Sequence, residues 1–158
     1  SGYALWLPRR MDYGERLMAD QSFTIPGQLP TLNAVLAATK RHWSAYATVK
    51  KAETNRVHWI AKGQLKPATA PVHLVFAWTT KDRRMDLDNV SHGQKYVIDG
   101  LVHANILPDD TRKTVTSILH KFTPPDPKSP RVTIEIIEVH EEKQTTTKAR
   151  PLEKGEQF

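Results

Sequence analysis

The chain has 158 residues, a formal charge of +6 with neutral histidines, and no cysteine. This length suits one domain with a sizeable core, and the lack of cysteine excludes disulfides and thiolate metal sites. The positive charge favours a polyanionic partner, the alternative being only a well-solvated basic surface. No apolar run approaches the roughly 20 residues of a membrane span, so we expect a cytoplasmic protein without membrane contact.

The first part of the chain predicts an arm, a strand and a helical region. Residues 1–20 mix apolar and charged side chains and are interpreted as an N-terminal arm. Ser22 to Ile25 is typical of a strand, which Pro26-Gly27 would end. Apolar residues then recur at helical spacing, so that the segment from Leu29 to Lys62 predicts one long helix or two shorter ones, with Thr31 a candidate cap.

Basic and aromatic side chains alternate in this helical region. The basic ones include Lys40, Lys50 and Lys51, and the aromatic ones are Trp43, Tyr46 and Trp59. A surface of this kind can follow a phosphate backbone. Aromatic side chains are more often buried, however, and we expect these to lie in the core.

The second part of the chain predicts three more strands. Val72 to Trp78 is strongly apolar, and the segment KTVTSILHKF alternates in part. The segment RVTIEIIEVH places Val132, Ile134 and Ile136 on one face. Residues 141–158 are polar and predict a disordered tail. With a further helix before the last two strands, the order is roughly β-α-β-α-β-β. It predicts an α+β fold, a mixed β-sheet with helices packed on one face.

Two alternating aspartates precede that further helix in a pattern typical of a metal site. Asp86 and Asp88 are two residues apart, so on an extended backbone both carboxylates point to one face and can share a cation. Met85 and Leu87 would then point into the protein. Either Asp88 or Asn89 suits the N-cap of the helix.

A second acidic pair, Asp109-Asp110, follows the helix closely. Lys95 lies about 10 Å along the helix axis from Asp88, so its ammonium can approach the carboxylates. The alternative for Lys95 is a salt bridge to Asp99 on the same helix. The alternative for the aspartates is that they only cap a helix and form a turn. Basic residues beside both clusters favour the metal site: Lys81, Arg83 and Arg84 before the first, Arg112 and Lys113 after the second.

Several segments of the chain form a wider pattern over roughly residues 24–138. They are LPTLNAVLAATKRH, AWTTKDRR, MDLDNVSHGQKYVIDGL, the pair Asp109-Asp110, and FTPPDPKSPRVTIEI. Together they resemble the RusA-type Holliday junction resolvases, in the longer form common among phages. The resemblance implies a nuclease domain at residues 21–140 that acts as a homodimer.

The resemblance also implies an activity and its residues. Asp86, Asp88 and Asp110 are similar to the family's essential acidic residues and Lys95 to its essential lysine, with Asp109 a further candidate metal ligand. The cofactor would be Mg²⁺, with Mn²⁺ as a substitute, bound as one ion or two. The implied enzyme is an endodeoxyribonuclease that hydrolyses phosphodiester bonds and nicks four-way DNA junctions symmetrically in recombination and repair.

DNA contact is expected from exposed cations around these residues. They are Lys40, Lys50, Lys51, Lys81, Arg83, Arg84, Arg112 and Lys113. His92 and His103 are acid–base candidates, although lone histidines on a helix surface are usually bystanders. One alternative function is a non-catalytic protein of the same fold that binds junctions or other nucleic acids. Another is a nuclease for flaps or RNA.

Overall fold

The computed structural model describes residues 19–140, which form a mixed four-stranded sheet and four helices. The strands are β1 (Gln21–Pro26), β2 (Val72–Thr79), β3 (Val115–Phe122) and β4 (Arg131–Glu138). The helices are α1 (Leu32–Arg41), α2 (Ala45–Gln64), α3 (Leu87–Ser91) and α4 (Gln94–His103). The predicted α+β class and mixed sheet are confirmed. The expected tail at 141–158 lies outside the described residues, as does all but the end of the expected arm.

The last strand of the described residues lies in the middle of the sheet. The strand order is β1-β4-β2-β3, with β4 antiparallel to both neighbours and β3 parallel to β2 at one edge. Ile134 is in register with Phe23 on one side and Phe76 on the other. All three side chains are buried in one cluster that also contains Val57 of α2 and Leu101 of α4. The alternation in β4 therefore predicted its buried face correctly.

Two helices, not one, follow the first strand. Thr31 caps α1 because its Oγ1 accepts a hydrogen bond from the Ala34 N–H, 3.3 Å away. The helix ends at His42, whose backbone is extended. α2 continues to Gln64, two residues past the predicted end. No helix within residues 19–140 has both the length and the apolar character that crossing a membrane requires.

Asp86 has an extended backbone but Asp88 is helical, so the prediction that both aspartates lie on one extended segment is wrong. Asp86 is the N-cap of α3, and Asp88 already lies in its first turn. The Val90 N–H bonds to the Asp86 carbonyl at 3.1 Å, and burial of the Val90 side chain stabilises this turn. Leu87 therefore faces outward and is 62% exposed, whereas Met85 packs partly against the core as expected.

The prediction that the aromatic residues of the helical region lie in the core is wrong for both tryptophans. Trp43 is 84% exposed and Trp59 is 68% exposed, while Tyr46 is half-buried. Trp43 lies in the turn before α2. Trp59 follows the buried Val57 by two residues, which rotates it by about 200° around the helix, onto the opposite face.

α2 and α4 pack very closely where Gly100 lies in their interface. A Cβ atom added to Gly100 would be 2.5 Å from the Val57 Cβ and 3.2 Å from the His58 backbone nitrogen. Only a residue without a side chain permits this approach. The contact brings side chains of α2 within reach of the charged face of α4.

Candidate active site

An open basin of about 640 Å³ lies between α2, α4 and the turn that follows α4. Its charged residues are Lys50, Lys51, Lys95, Asp99, Asp109 and Asp110. The basin thus joins the second predicted aspartate pair to the predicted lysine of α4 and to two of the lysines expected to contact DNA. Sequence spacing gave no reason to place α2 here, since its lysines are far away along the chain.

Asp99 connects the two helices inside this basin. One carboxylate oxygen is 3.0 Å from the Lys95 Nζ, and the other is 3.6 Å from the Lys50 Nζ. Only 16% of the Asp99 side chain is exposed. The salt bridge considered as an alternative role for Lys95 is therefore formed. The Asp99 carboxylate also binds Lys50 of α2, so the interaction is more than a local pair within α4.

Lys95 lies between Asp99 and the open carboxylate of Asp110. The Lys95 Nζ is 3.9 Å from Asp110 Oδ2, and the Asp110 side chain is 57% exposed. The hydrogen bond to Asp99 is the main cause that raises the pKa of Lys95, and the charge of Asp110 adds to it. Lys95 is therefore protonated at neutral pH and points toward a carboxylate that solvent or a ligand can reach.

The two adjacent aspartates of the turn have different surroundings. Asp109 Oδ1 accepts hydrogen bonds from the Thr111 N–H at 2.9 Å and from the hydroxyls of Thr111 and Thr114 at 2.7 Å each. These bonds, with that of Thr114 first, lower the pKa of Asp109. Asp110 accepts no hydrogen bond from residues 19–140. The geometry favours a structural role for Asp109 as the residue that closes the turn, and it leaves Asp110 free for a ligand.

The first aspartate pair lies on the surface at the start of α3. Asp86 and Asp88 are both exposed, and neither carboxylate accepts a hydrogen bond within the described part of the chain. The capping alternative requires the Asp86 side chain to bond to the first turn of α3, and no such bond is formed. Neither residue lines the basin. Capping therefore does not explain either carboxylate.

The three predicted acidic residues do not form a preassembled metal centre. Residues 19–140 contain no group of three or more histidine or acidic side chains placed to hold one ion. Mg²⁺ nevertheless often takes only one or two protein carboxylates and completes its shell with water and substrate phosphate oxygens. Asp86 and Asp88 have the chemistry for such a site. The sharing of one ion with Asp110 stays a prediction.

Asn89 has a role that the sequence interpretation missed. It was expected as an N-cap of its own helix, but its Oδ1 accepts a hydrogen bond from the Asn33 N–H of α1 at 2.9 Å. With Thr31 bonded to Ala34, two N–H groups of the first turn of α1 are satisfied. Asn89 thereby ties the aspartate-bearing α3 to α1.

The other cations expected to contact DNA lie in three exposed groups. Lys40 is at the end of α1, Lys81, Arg83 and Arg84 are in the loop before α3, and Arg112 and Lys113 follow Asp110. Of the two acid–base candidates, His103 lines the basin. His92 is half-buried, with its Nε2 3.4 Å from the Tyr96 hydroxyl.

Asn55 is a basin residue that the sequence interpretation also missed. It follows Lys51 by four residues, so helical spacing alone places the two side by side. That spacing was the signal available in the sequence.

A scan against protein-family models finds no family that matches the chain, and a comparison with curated proteins finds no similar protein.

Proposed function

We propose that this protein is an Mg²⁺-dependent endodeoxyribonuclease that nicks branched DNA, with the four-way junction as its substrate. The observation that carries the proposal is the open basin in which Lys95 lies between a half-buried Asp99 and an exposed Asp110. Two more lysines of α2 line the same basin. A phosphodiester suits this site because the ammonium groups can neutralise its oxygens. The charge of +6 and the resemblance to RusA-type resolvases favour DNA as the polymer.

The proposed metal would be held at the exposed carboxylates. When bound, Mg²⁺ polarises the phosphoryl oxygen and lowers the pKa of a bound water. Asp86 and Asp88 are the ligands that the surface supplies, and Asp110 is the predicted third. Because these three are not gathered in the described residues, the proposal requires water and phosphate oxygens to complete the shell.

The remaining chemistry belongs to the lysines. Lys95, held by Asp99, would donate hydrogen bonds to the phosphate or to the departing 3′ oxygen as charge develops there. Removing one such donor typically costs 100- to 1000-fold in rate, about 2.7–4 kcal/mol. Lys50 is oriented by the same carboxylate and would bind a neighbouring phosphate. Asp99 thus keeps both cations in place without lying on the exposed surface itself.

A homodimer is part of the proposal, and β3 supports it. This strand is at the edge of the described sheet, and its side chains Ile118, Leu119 and Phe122 are exposed. An apolar edge strand offers unpaired backbone groups to a second copy. A two-fold axis beside β3 would pair the two edges in antiparallel fashion. Two active sites would then face the two strands of a junction that are cut.

The decisive experiment incubates the purified protein with a labelled four-way junction or a matched linear duplex, with and without Mg²⁺. We expect paired, symmetric nicks on the junction that require Mg²⁺. Asp86→Asn, Asp88→Asn and Asp110→Asn should abolish nicking but bind the junction as well as the wild type or better, since a repelling charge is lost. Asp109→Asn is the matched control for Asp110→Asn. It should lower the melting temperature, because the turn loses its strongest acceptor, while nicking persists.

One observation favours a second candidate, a protein of the same fold that binds junctions without cutting them. Within residues 19–140 no three-ligand metal group is formed. This candidate predicts salt-sensitive binding to junctions and no nicks under any metal condition. Equal cutting of linear duplex would instead indicate a general nuclease.

A further inference from the structure

The exposed face of α2 continues from the basin to an exposed tryptophan. Lys51, Asn55 and Trp59 are spaced four residues apart, and Lys62 follows three residues later. At about 100° per residue, these four positions fall within about 80° of the helix circumference. Lys51 and Asn55 line the basin. Trp59 therefore lies about 6 Å further along the same stripe, one helical turn beyond Asn55.

Trp59 is exposed but not loosely placed. Its ring is 68% exposed, although tryptophan is among the residues that proteins bury most on average. The Lys62 Nζ lies 5.5 Å from the ring centroid, and the His58 ring meets it edge-on with centroids 4.9 Å apart. A cation at this distance is attracted to the face of the indole. The contacts orient the ring while leaving most of its surface open.

We propose that Trp59 and Lys62 form a nucleobase-binding platform, on which an unpaired base stacks while the lysine contacts the adjoining phosphate. Trp59 offers a flat aromatic surface, and aromatic side chains bind unpaired bases of any sequence by stacking. The stripe carries two positive charges from Lys51 and Lys62 and no negative charge, which complements a nucleic-acid strand. A base inside a duplex is already stacked on its neighbours, so the ligand is a single strand or the opened branch point of a junction.

The platform rests on the proposed function in one respect only: the bound DNA strand would come from the basin and pass along α2. Binding itself is independent of cleavage. Trp43 provides a matched control, because it is even more exposed, at 84%, but lies in the turn before α2. Among residues 19–140, its ring is stacked on that of the neighbouring His42 alone, with centroids 6.2 Å apart.

The test compares Trp59→Ala with Trp43→Ala for binding to a single-stranded oligonucleotide, a linear duplex, and a junction with 2-aminopurine at its branch point. We expect Trp59→Ala to weaken single-strand binding about tenfold, the loss typical of one stacked base. The slope of log K against log salt should not change, because no phosphate contact is lost. Lys62→Ala should instead reduce that slope by about 0.7. Trp59→Phe should restore most of the affinity, and Trp43→Ala should bind like the wild type.

Several outcomes would overturn the platform. Unchanged single-strand affinity in Trp59→Ala, with the fold intact by circular dichroism, is one. A Trp59→Ala variant that changes oligomeric state in sedimentation would assign the ring to a protein interface instead. Quenching of 2-aminopurine that is equal in the wild type and in Trp59→Ala would also contradict stacking. If no junction is ever nicked but Trp59→Ala still binds tenfold more weakly, the nuclease proposal fails and the platform stands.

Discussion

Replacing Gly100 by alanine tests whether the contact between α2 and α4 holds the basin together. The new Cβ would be 2.5 Å from the Val57 Cβ, about 1 Å closer than carbon atoms normally approach. The atoms it meets are close to or part of the α2 backbone and cannot rotate away. Overpacking of this kind costs about 3 kcal/mol, and the better helix propensity of alanine recovers about 1 kcal/mol. We expect a net loss of about 2 kcal/mol in the free energy of unfolding and a melting temperature lower by roughly 8 °C.

Nicking activity should fall together with stability, because separating the helices moves Lys50 away from Asp99. In the wild type the Lys50 Nζ is 3.6 Å from Asp99 Oδ2. Gly63→Ala is the control, since a Cβ there meets nothing within 4 Å in the last turn of α2. That variant should be as stable as the wild type or gain up to about 1 kcal/mol. Chemical denaturation of both variants, with junction nicking measured in parallel, gives the comparison.

A second substitution, at Val57, tests the same contact from the side of α2. Val57→Ala alone should cost stability by leaving a cavity, but in combination with Gly100→Ala it removes the contact with Val57 Cγ1 and leaves only the one between the two Cβ atoms. The double variant should therefore be more stable than the sum of the two single changes predicts. If Gly100→Ala unfolds at the wild-type denaturant concentration, or if the two changes are simply additive, the close approach of α2 and α4 does not have the energetic role assigned to it.

Three further predictions concern single side chains. Asp99→Asn should lower the pKa of Lys95 toward its ordinary value and reduce nicking strongly, yet cost less than about 1 kcal/mol in stability, because the lysine is 43% exposed and screened; a wild-type nicking rate would contradict this. Burial lowers the pKa of His120, whose Nδ1 accepts a hydrogen bond from the Trp78 Nε1–H. Stability should therefore be constant above about pH 6.5 and decrease as the pH falls, since the unfolded chain binds more protons there, and thermal melts of His120→Gln should show a shallower decrease than the wild type. Leu119→Lys on the edge strand should convert the proposed dimer to a monomer in sedimentation, and an unchanged mass would place the interface elsewhere.

The strands could be predicted from the sequence because the pattern of apolar residues that identifies each strand lies within the strand itself. Alternation along β4 assigned Val132, Ile134 and Ile136 to one face, and the apolar character of β2 predicted a strand, which the structure buries almost throughout. For Asp86 and Asp88, residue type and spacing singled out a pair of carboxylates that the structure leaves exposed, and their metal-binding role stays a prediction. The same spacing gave the wrong backbone, because a period of two is also compatible with an N-cap followed by a helical turn.

Contacts between distant segments decided the rest. Periodicity identified the stripe of α2 that contains Trp59 as part of a helix, but only the packed structure shows that no described element covers it. Asn89 caps a helix 56 residues earlier in the chain, and Asp99 holds a lysine from another helix. The sequence by itself determined which carboxylate and ammonium side chains are candidates for the proposed phosphodiester site. The tertiary structure alone decided which of them meet, since hydrogen-bond and charge partners are chosen by packing across the fold and not by neighbours along the chain.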